Sequence, residues 1–210
     1  MLKICEAHEA DAAARLYVTL SGMSWTASFR GIVFEKQILR YLDSIDADRP
    51  LPIRRLGQPD ETPWSYPGPI PRRTFKEPTV IQYIKDAVKN RTPLHLVPFV
   101  PNFPAIDSIL YHPDRGLTFF QITINSDHPI AVSCLKRIER WLNERLPVDL
   151  TNLHPSKRKP WRFIFIVPPE MASDFKPQEL DGDTEMDVWV EKVDQFVLGL
   201  ECAIEQANKT

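Results

Sequence analysis

An α/β fold, one mixed sheet with helices on both faces, is predicted by three features of this chain. Apolar runs of strand length crowd residues 94–124 and recur at 161–167. Apolar residues at helical spacing flank them at 34–45, 80–88 and 132–142. The order that results is helix, three strands, helix, strand, and a sheet covered by helices requires such mixing. The 210 residues suffice for a single domain with an insertion, and 43% hydrophobic with 26% charged residues is the balance of soluble globular proteins.

Each element has its own grounds. Residues 1–22 begin with an alanine-rich helical pattern over 6–20. A second helix follows from Phe34, Ile38, Tyr41 and Ile45, with Leu39 and Leu42 widening the stripe. Residues 46–93 read as a proline-rich insertion: eight prolines from Pro50 to Pro78 predict an irregular arm, because proline removes a donor and restricts the residue before it. Trp64, Tyr66 and Phe75 are expected to pin that arm to the body, and a short helix over 79–90 closes it, with Val80, Ile81, Ile84 and Val88 on one side.

Three strands are then predicted, at 94–99, 105–111 and 117–124, and His112-Pro113-Asp114-Arg115-Gly116 has the turn chemistry to join the last two. Pro129 is expected in the first turn of a helix running to 146, buried along Val132, Leu135, Ile138 and Leu142. A strand at 161–167 is stopped by Pro168-Pro169. Trp189, Val193, Phe196, Leu200 and Ile204 predict a closing C-terminal helix.

Composition excludes several classes of function. A net charge of −2 argues against bulk attraction to nucleic acid, so any phosphate-binding surface has to be local. Cys5, Cys134 and Cys202 lack zinc or disulfide spacing, which predicts a reduced, intracellular setting, and Cys134 falls in an apolar helical pattern that predicts burial. No apolar run approaches the ~18 residues of a membrane span, and the expectation is that no signal peptide is present.

The chemistry-bearing residues gather in 105–130. Asp107 stands among Ile106, Ile109 and Leu110, and Gln121 and Thr123 share one face of the next strand, because strand side chains alternate. This arrangement resembles the metal-binding edge of the restriction-endonuclease-like, or PD-(D/E)xK, superfamily. That pattern is a carboxylate on one strand and acid-x-lysine on the next; here Gln121 replaces the acid and Thr123 the lysine. More specifically, Gly31-Ile32-Val33-Phe34-Glu35, Pro104-Ala105-Ile106-Asp107-Ser108, the segment from Gln121-Ile122-Thr123 to His128-Pro129-Ile130, the strand at 161–168 and the run at 195–200 resemble, in order, the nuclease-like domains of Crinkler effectors and retrotransposon-hot-spot proteins. The resemblance covers most of 31–200 and implies an αβββαβ core.

It also implies Mg2+ or Mn2+, held by Asp107 and Glu35, with Gln121 and the carbonyl of Ile122 completing the shell and His128 standing in for the lysine near the attacking water. Lys136 is the alternative cation. The bland readings are a flank glutamate paired with Lys36 or Arg30 for Glu35, an edge-strand charge for Asp107, and helix capping or a solvent position for His128. Asp114 is read as a turn residue. Arg72 and Arg73 in the arm, Lys136, and Lys157-Arg158-Lys159 are candidate phosphate contacts, with Trp64, Tyr66 and Phe75 as stacking partners for bases; Lys157–Lys159 also has the look of a nuclear-import patch. The expected function is metal-dependent hydrolysis of DNA, with RNA as the alternative substrate, without base specificity. Its rivals are a degenerate nuclease fold that binds nucleic acid or protein, and a pure protein-interaction domain.

Overall fold

The computed structural model describes residue 12 and residues 27–58, 61–99, 103, 105–145, 152–182 and 186–201. Helix α1 (Ala27–Asp43) precedes strands β1 (Arg49–Arg55), β2 (Glu61–Tyr66) and β3 (Arg72–Phe75) and helix α2 (Glu77–Asn90). Then come β4 (Leu94–Pro98), β5 (Ser108–His112), β6 (Gly116–Ile122), β7 (Ile130–Ala131), helix α3 (Val132–Arg145) and β8 (Trp161–Val167). The short helix α4 (Pro169–Ala172), β9 (Leu180–Asp181), helix α5 (Met186–Val190) and β10 (Val193–Gly199) follow. The predicted helix at 6–20 lies outside the described residues apart from Ala12, as do Cys5, Cys202 and Ile204.

Eight strands make one mixed sheet in the order β2-β1-β10-β8-β6-β5-β4-β3, while β7 and β9 form a small parallel pair. β4, β5 and β6 are an antiparallel meander; β8 lies parallel to β6, and β10 parallel to β8. Both faces are covered. One layer holds Phe34, Ile38 and Leu42 of α1 against Phe120, Ile122, Ile164 and Ile166. The other holds Val80, Ile84, Leu135 and Ile138 of α2 and α3 against Ile109, Phe119, Phe163 and Phe165. In β8, Phe163 to Val167 are all 0% exposed. Each such side chain stabilises the fold by about 1.5–3 kcal/mol on transfer from water, so this strand anchors both layers.

The sheet curls far enough for its first strand to meet its seventh. Tyr66 Oη on β2 lies 3.2 Å from His95 Nδ1 on β4, and the Phe120 ring sits against both, at centroid separations of 6.5 and 6.1 Å. Burial pushes the Tyr66 hydroxyl up out of its ordinary range and drives His95 down to about 3.

Two expectations are overturned. The proline-rich stretch is no irregular arm: it supplies β1, β2 and β3 to the main sheet. Pro50 and Pro52 pair with Ser65 and Pro63, while β10 joins β1 only at Arg54 and Arg55. The missing N–H groups therefore fall where no second ladder needs them. The predicted C-terminal helix is α5 followed by strand β10. Val193 and Val197 enter one core layer, and Phe196 and Leu198 the other. With buried apolar residues on both of its faces, β10 lacks a strict alternation, so its spacing also satisfied a helix. Pro129 in turn precedes α3, because Ile130 and Ala131 pair with Leu180 and Asp181 first.

Candidate functional site

The β5–β6 hairpin builds the site. Asp107 immediately precedes β5, and its N–H donates to Phe120 O at 2.9 Å. The β5–β6 ladder ends at the Ser108–Phe120 pair, and the off-register bond to Phe120 sets Asp107 beside Gln121. Gln121 Nε2 donates to Asp107 Oδ2 at 2.8 Å, and the Ile122 N–H donates to the same oxygen at 2.6 Å. At Ile122 the observed contact is thus made by the amide. Gln121 is 6% exposed, and its Oε1 is buried without a hydrogen-bond partner.

The carboxylate is strongly perturbed. Burial pushes Asp107 up to about 7 against the pull of the Ile122 N–H, and the charge of Glu35 on α1 pushes the same way. Glu35 is itself raised by burial, with Lys36 opposing. Asp107 is therefore no edge-strand charge: it lies between β4 and β6 in the sheet order. The structure brings Asp107, Gln121 and Ile122 into hydrogen-bond contact and sets Glu35 within electrostatic reach.

Thr123 is committed elsewhere, and His128 is held through its main chain. Thr123 is buried, donates its N–H to Ile166 O at 3.0 Å and accepts the Asn125 N–H at 3.0 Å through Oγ1. It ends β6 in a turn, and its hydroxyl is occupied. The His128 N–H donates to Gln178 Oε1, four residues before α3 begins, so helix capping is excluded. Its half-buried imidazole is lowered by burial, with Asp127 opposing.

Gln178 was missed by the sequence reading. It is 7% exposed; its Nε2 donates to Ser126 O and Lys176 O, and its N–H to Gln195 Oε1. The Gln178 side chain thereby ties the loop after β6 to the segment before β9, and the Gln195 side chain ties that segment to β10. Nothing in a lone glutamine at this point of the sequence signals such a role.

The basic residues do not gather around Asp107. Arg72 pairs with Asp43 at 2.8 Å, and Arg73 lies over the Tyr83 ring at 5.6 Å. Arg73 also lines a cleft of about 240 Å³ with Asp86 and Asn90, beside Leu94 at the far end of β4. Lys157 pairs with Glu191 at 2.6 Å, Lys159 donates to Asn152 O at 2.9 Å, and Arg158 is exposed. Phe165 is level with Gln121, so Lys159, six residues earlier, stands roughly 20 Å away along the strand direction. The 157–159 run therefore belongs to the opposite end of the sheet. Lys136 is on α3 and half-buried. Trp64, Tyr66 and Phe75 are 5%, 1% and 2% exposed, which removes them as stacking partners for bases.

Chemically the site offers two carboxylates of raised proton affinity and one unpartnered amide oxygen. Among the described residues no group of three or more His, Cys, Asp or Glu side chains could hold a metal ion. Among them, too, no helix is long and apolar enough to cross a membrane. No protein-family model, no curated protein and no solved structure matches the chain.

Proposed function

We propose that this chain is a nuclease-like domain of restriction-endonuclease-like build, related to the Crinkler and retrotransposon-hot-spot domains, which hydrolyses DNA phosphodiesters with little sequence preference and depends on Mg2+ or Mn2+. The observation that carries this reading is the Asp107 carboxylate, held just before β5 by donors from β6 and raised by burial, with the charge of Glu35 adding to it. Two carboxylates that disfavour each other's ionisation are relieved by a proton or by a bound cation. Gln121 Oε1, buried and unpartnered, is a neutral oxygen of the type such a cation accepts. The donor set fits a hard divalent ion that keeps part of its water shell. When bound, that ion supplies a water of lowered pKa and charge stabilisation on the phosphoryl oxygens. The chain's own residues orient: Gln121 Nε2 and the Ile122 N–H fix Oδ2 of Asp107, and Asp107 with Glu35 would hold the ion. The chain order of meander β4–β6, helix α3 and parallel β8 supports this reading.

A second reading, a degenerate nuclease fold acting as a binding module, is favoured by Thr123. Its buried hydroxyl is occupied by Asn125, where the superfamily has a lysine. Plasmid and linear DNA incubated with Mg2+ or Mn2+, with and without chelator, separates the two. Cleavage abolished by chelator and by Asp107→Ala supports the enzyme. Salt-sensitive binding without cutting supports the module, and silence in both assays leaves a protein-interaction domain. Action in the nucleus belongs to the same proposal.

A further inference from the structure

Phe99 is 60% exposed immediately after β4, and the Lys76 ammonium lies 4.7 Å from its ring centroid. Its N–H donates to Phe75 O at 2.8 Å, which fixes the backbone under the ring. Phe103, half-buried, carries the Arg137 guanidinium at 6.0 Å from its centroid. Its ring packs edge-on against Phe75 at 5.9 Å and tilted against Trp141 at 6.1 Å. Phe99 thus offers an open ring with a cation over it, and Phe103 a partly buried ring, also beside a cation, whose inner side is packed against Phe75 and Trp141.

Their position relative to Asp107 follows from the strand register. Phe75 pairs with Pro98, and Leu96 pairs with Ile109. The β4–β5 pairs end at Leu96 and Ile109, so Pro98, Phe99 and Phe75 lie toward the same end of the sheet as Asp107, just past the last pair. Phe103 is four residues from Asp107 in the chain, so at most about 14 Å away. That distance is roughly two nucleotides of an extended strand.

Resting on the nucleic-acid reading of the site above, we infer that the substrate or ligand is single-stranded: unpaired bases stack on Phe99 and Phe103, while Lys76 and Arg137 contact the flanking phosphates. Stacking tolerates any base, because every base has a π-face, and a duplex keeps those faces covered. A ring capped by a cation suits this task, since the cation draws the phosphate to one side of the ring and the base covers its other face. With a net charge of −2, the protein cannot rely on bulk attraction, and a short built platform is an economical substitute.

Fluorescence anisotropy in chelator, with a labelled dT12 strand, the matching RNA and a 12-base-pair duplex as probes, tests this. We expect the single strands to bind at least about tenfold tighter than the duplex. Phe99→Ala and Phe99→Leu should each weaken single-strand binding about tenfold, Phe99→Trp should retain it, and Lys76→Ala should flatten the salt dependence by about one phosphate contact. Phe99 is exposed, so an unchanged thermal melt separates these effects from misfolding. Equal affinity for duplex and single strand, or binding indifferent to Phe99→Ala, overturns the proposal. Cleavage of DNA that ignores Phe99 would sink the platform and spare the nuclease; Phe99-dependent binding without any cleavage would do the reverse.

Discussion

Gln121 Nε2 donates to Asp107 Oδ2 across 2.8 Å, so the residue standing where an acid is expected works as a clamp on the carboxylate. Replacing the amide with a second carboxylate reverses the sign of that contact. For Gln121→Glu we expect a loss of about 1–3 kcal/mol at pH 8, with a smaller loss at pH 5, where a shared proton replaces the amide hydrogen. If the group is a cation site, Mg2+ or Mn2+ restores part of the melting temperature. Thermal melts at both pH values, with and without metal, check this. A melting temperature indifferent to the substitution would mean the clamp contributes nothing.

Asp107 also sets a pH dependence. Its folded-state value, about 7, lies above the ordinary carboxyl value of 3.8, chiefly through burial. The protonated form is favoured by folding, so this group's contribution is fully present below about pH 3.9 and is lost as pH rises through 7, by about 4 kcal/mol at most. His95 acts in the opposite direction. It is lowered to about 3 by burial, so its contribution is present above its ordinary 6.5 and is lost as pH falls toward 3. The two overlap between pH 4 and 6.5 and partly cancel in the wild type. Asp107→Asn removes one of them. In chelator, urea titrations should show the variant gaining stability relative to wild type as pH rises from 4 to 7. Parallel curves over that range would rule the buried, proton-binding Asp107 out.

What could be read from residues alone follows from how each element is stabilised. β6 and β8 are mostly apolar, the turn at 112–116 joins β5 to β6, and Asp107 is conspicuous as an acid among isoleucines. β1 and β2 were hidden because their prolines are tolerated only through the partial ladder to β10, a tertiary fact. β10 was mistaken for helix because burial on both faces erases the alternation that marks a strand. The aromatics singled out for base contact, Trp64, Tyr66 and Phe75, turned inward, because the curl of the sheet needs their area. Phe99, one residue past a strand end, is left outside.

Gly68 packs closely against the segment that follows α1. A Cβ there would lie 2.6 Å from Ile45 O and 2.8 Å from Ala47 O, both backbone atoms that cannot swing aside. Gly68→Ala therefore has to displace the segment that follows α1. The expected cost is about 1–3 kcal/mol, as for other overpacked sites, visible as a lower urea midpoint with an unchanged slope. A variant as stable as wild type would show that the two segments separate freely.

Gln178 carries the most consequential single side chain outside the Asp107 group. Its Oε1 accepts from the His128 N–H, and its Nε2 serves Ser126 O and Lys176 O. Gln195 meets it reciprocally, with Oε1 accepting the Gln178 N–H and Nε2 donating to Gln178 O, each at 2.8 Å. Gln178→Ala leaves an N–H and two carbonyls without these partners in a part-buried place, and each buried loss costs about 1–3 kcal/mol unless water enters. Gln178→Glu keeps the acceptor for His128 but loses both donors, and it sets a carboxylate against two carbonyl oxygens. We expect both substitutions to destabilise, Glu the more, and amide exchange to rise over 126–130 while the β5–β6 hairpin stays protected. If exchange rose equally along the hairpin, the loop and the Asp107 group would be one cooperative unit, and His128 would be positioned by the sheet itself. If exchange at 126–130 did not change, the glutamine would not be what holds that loop.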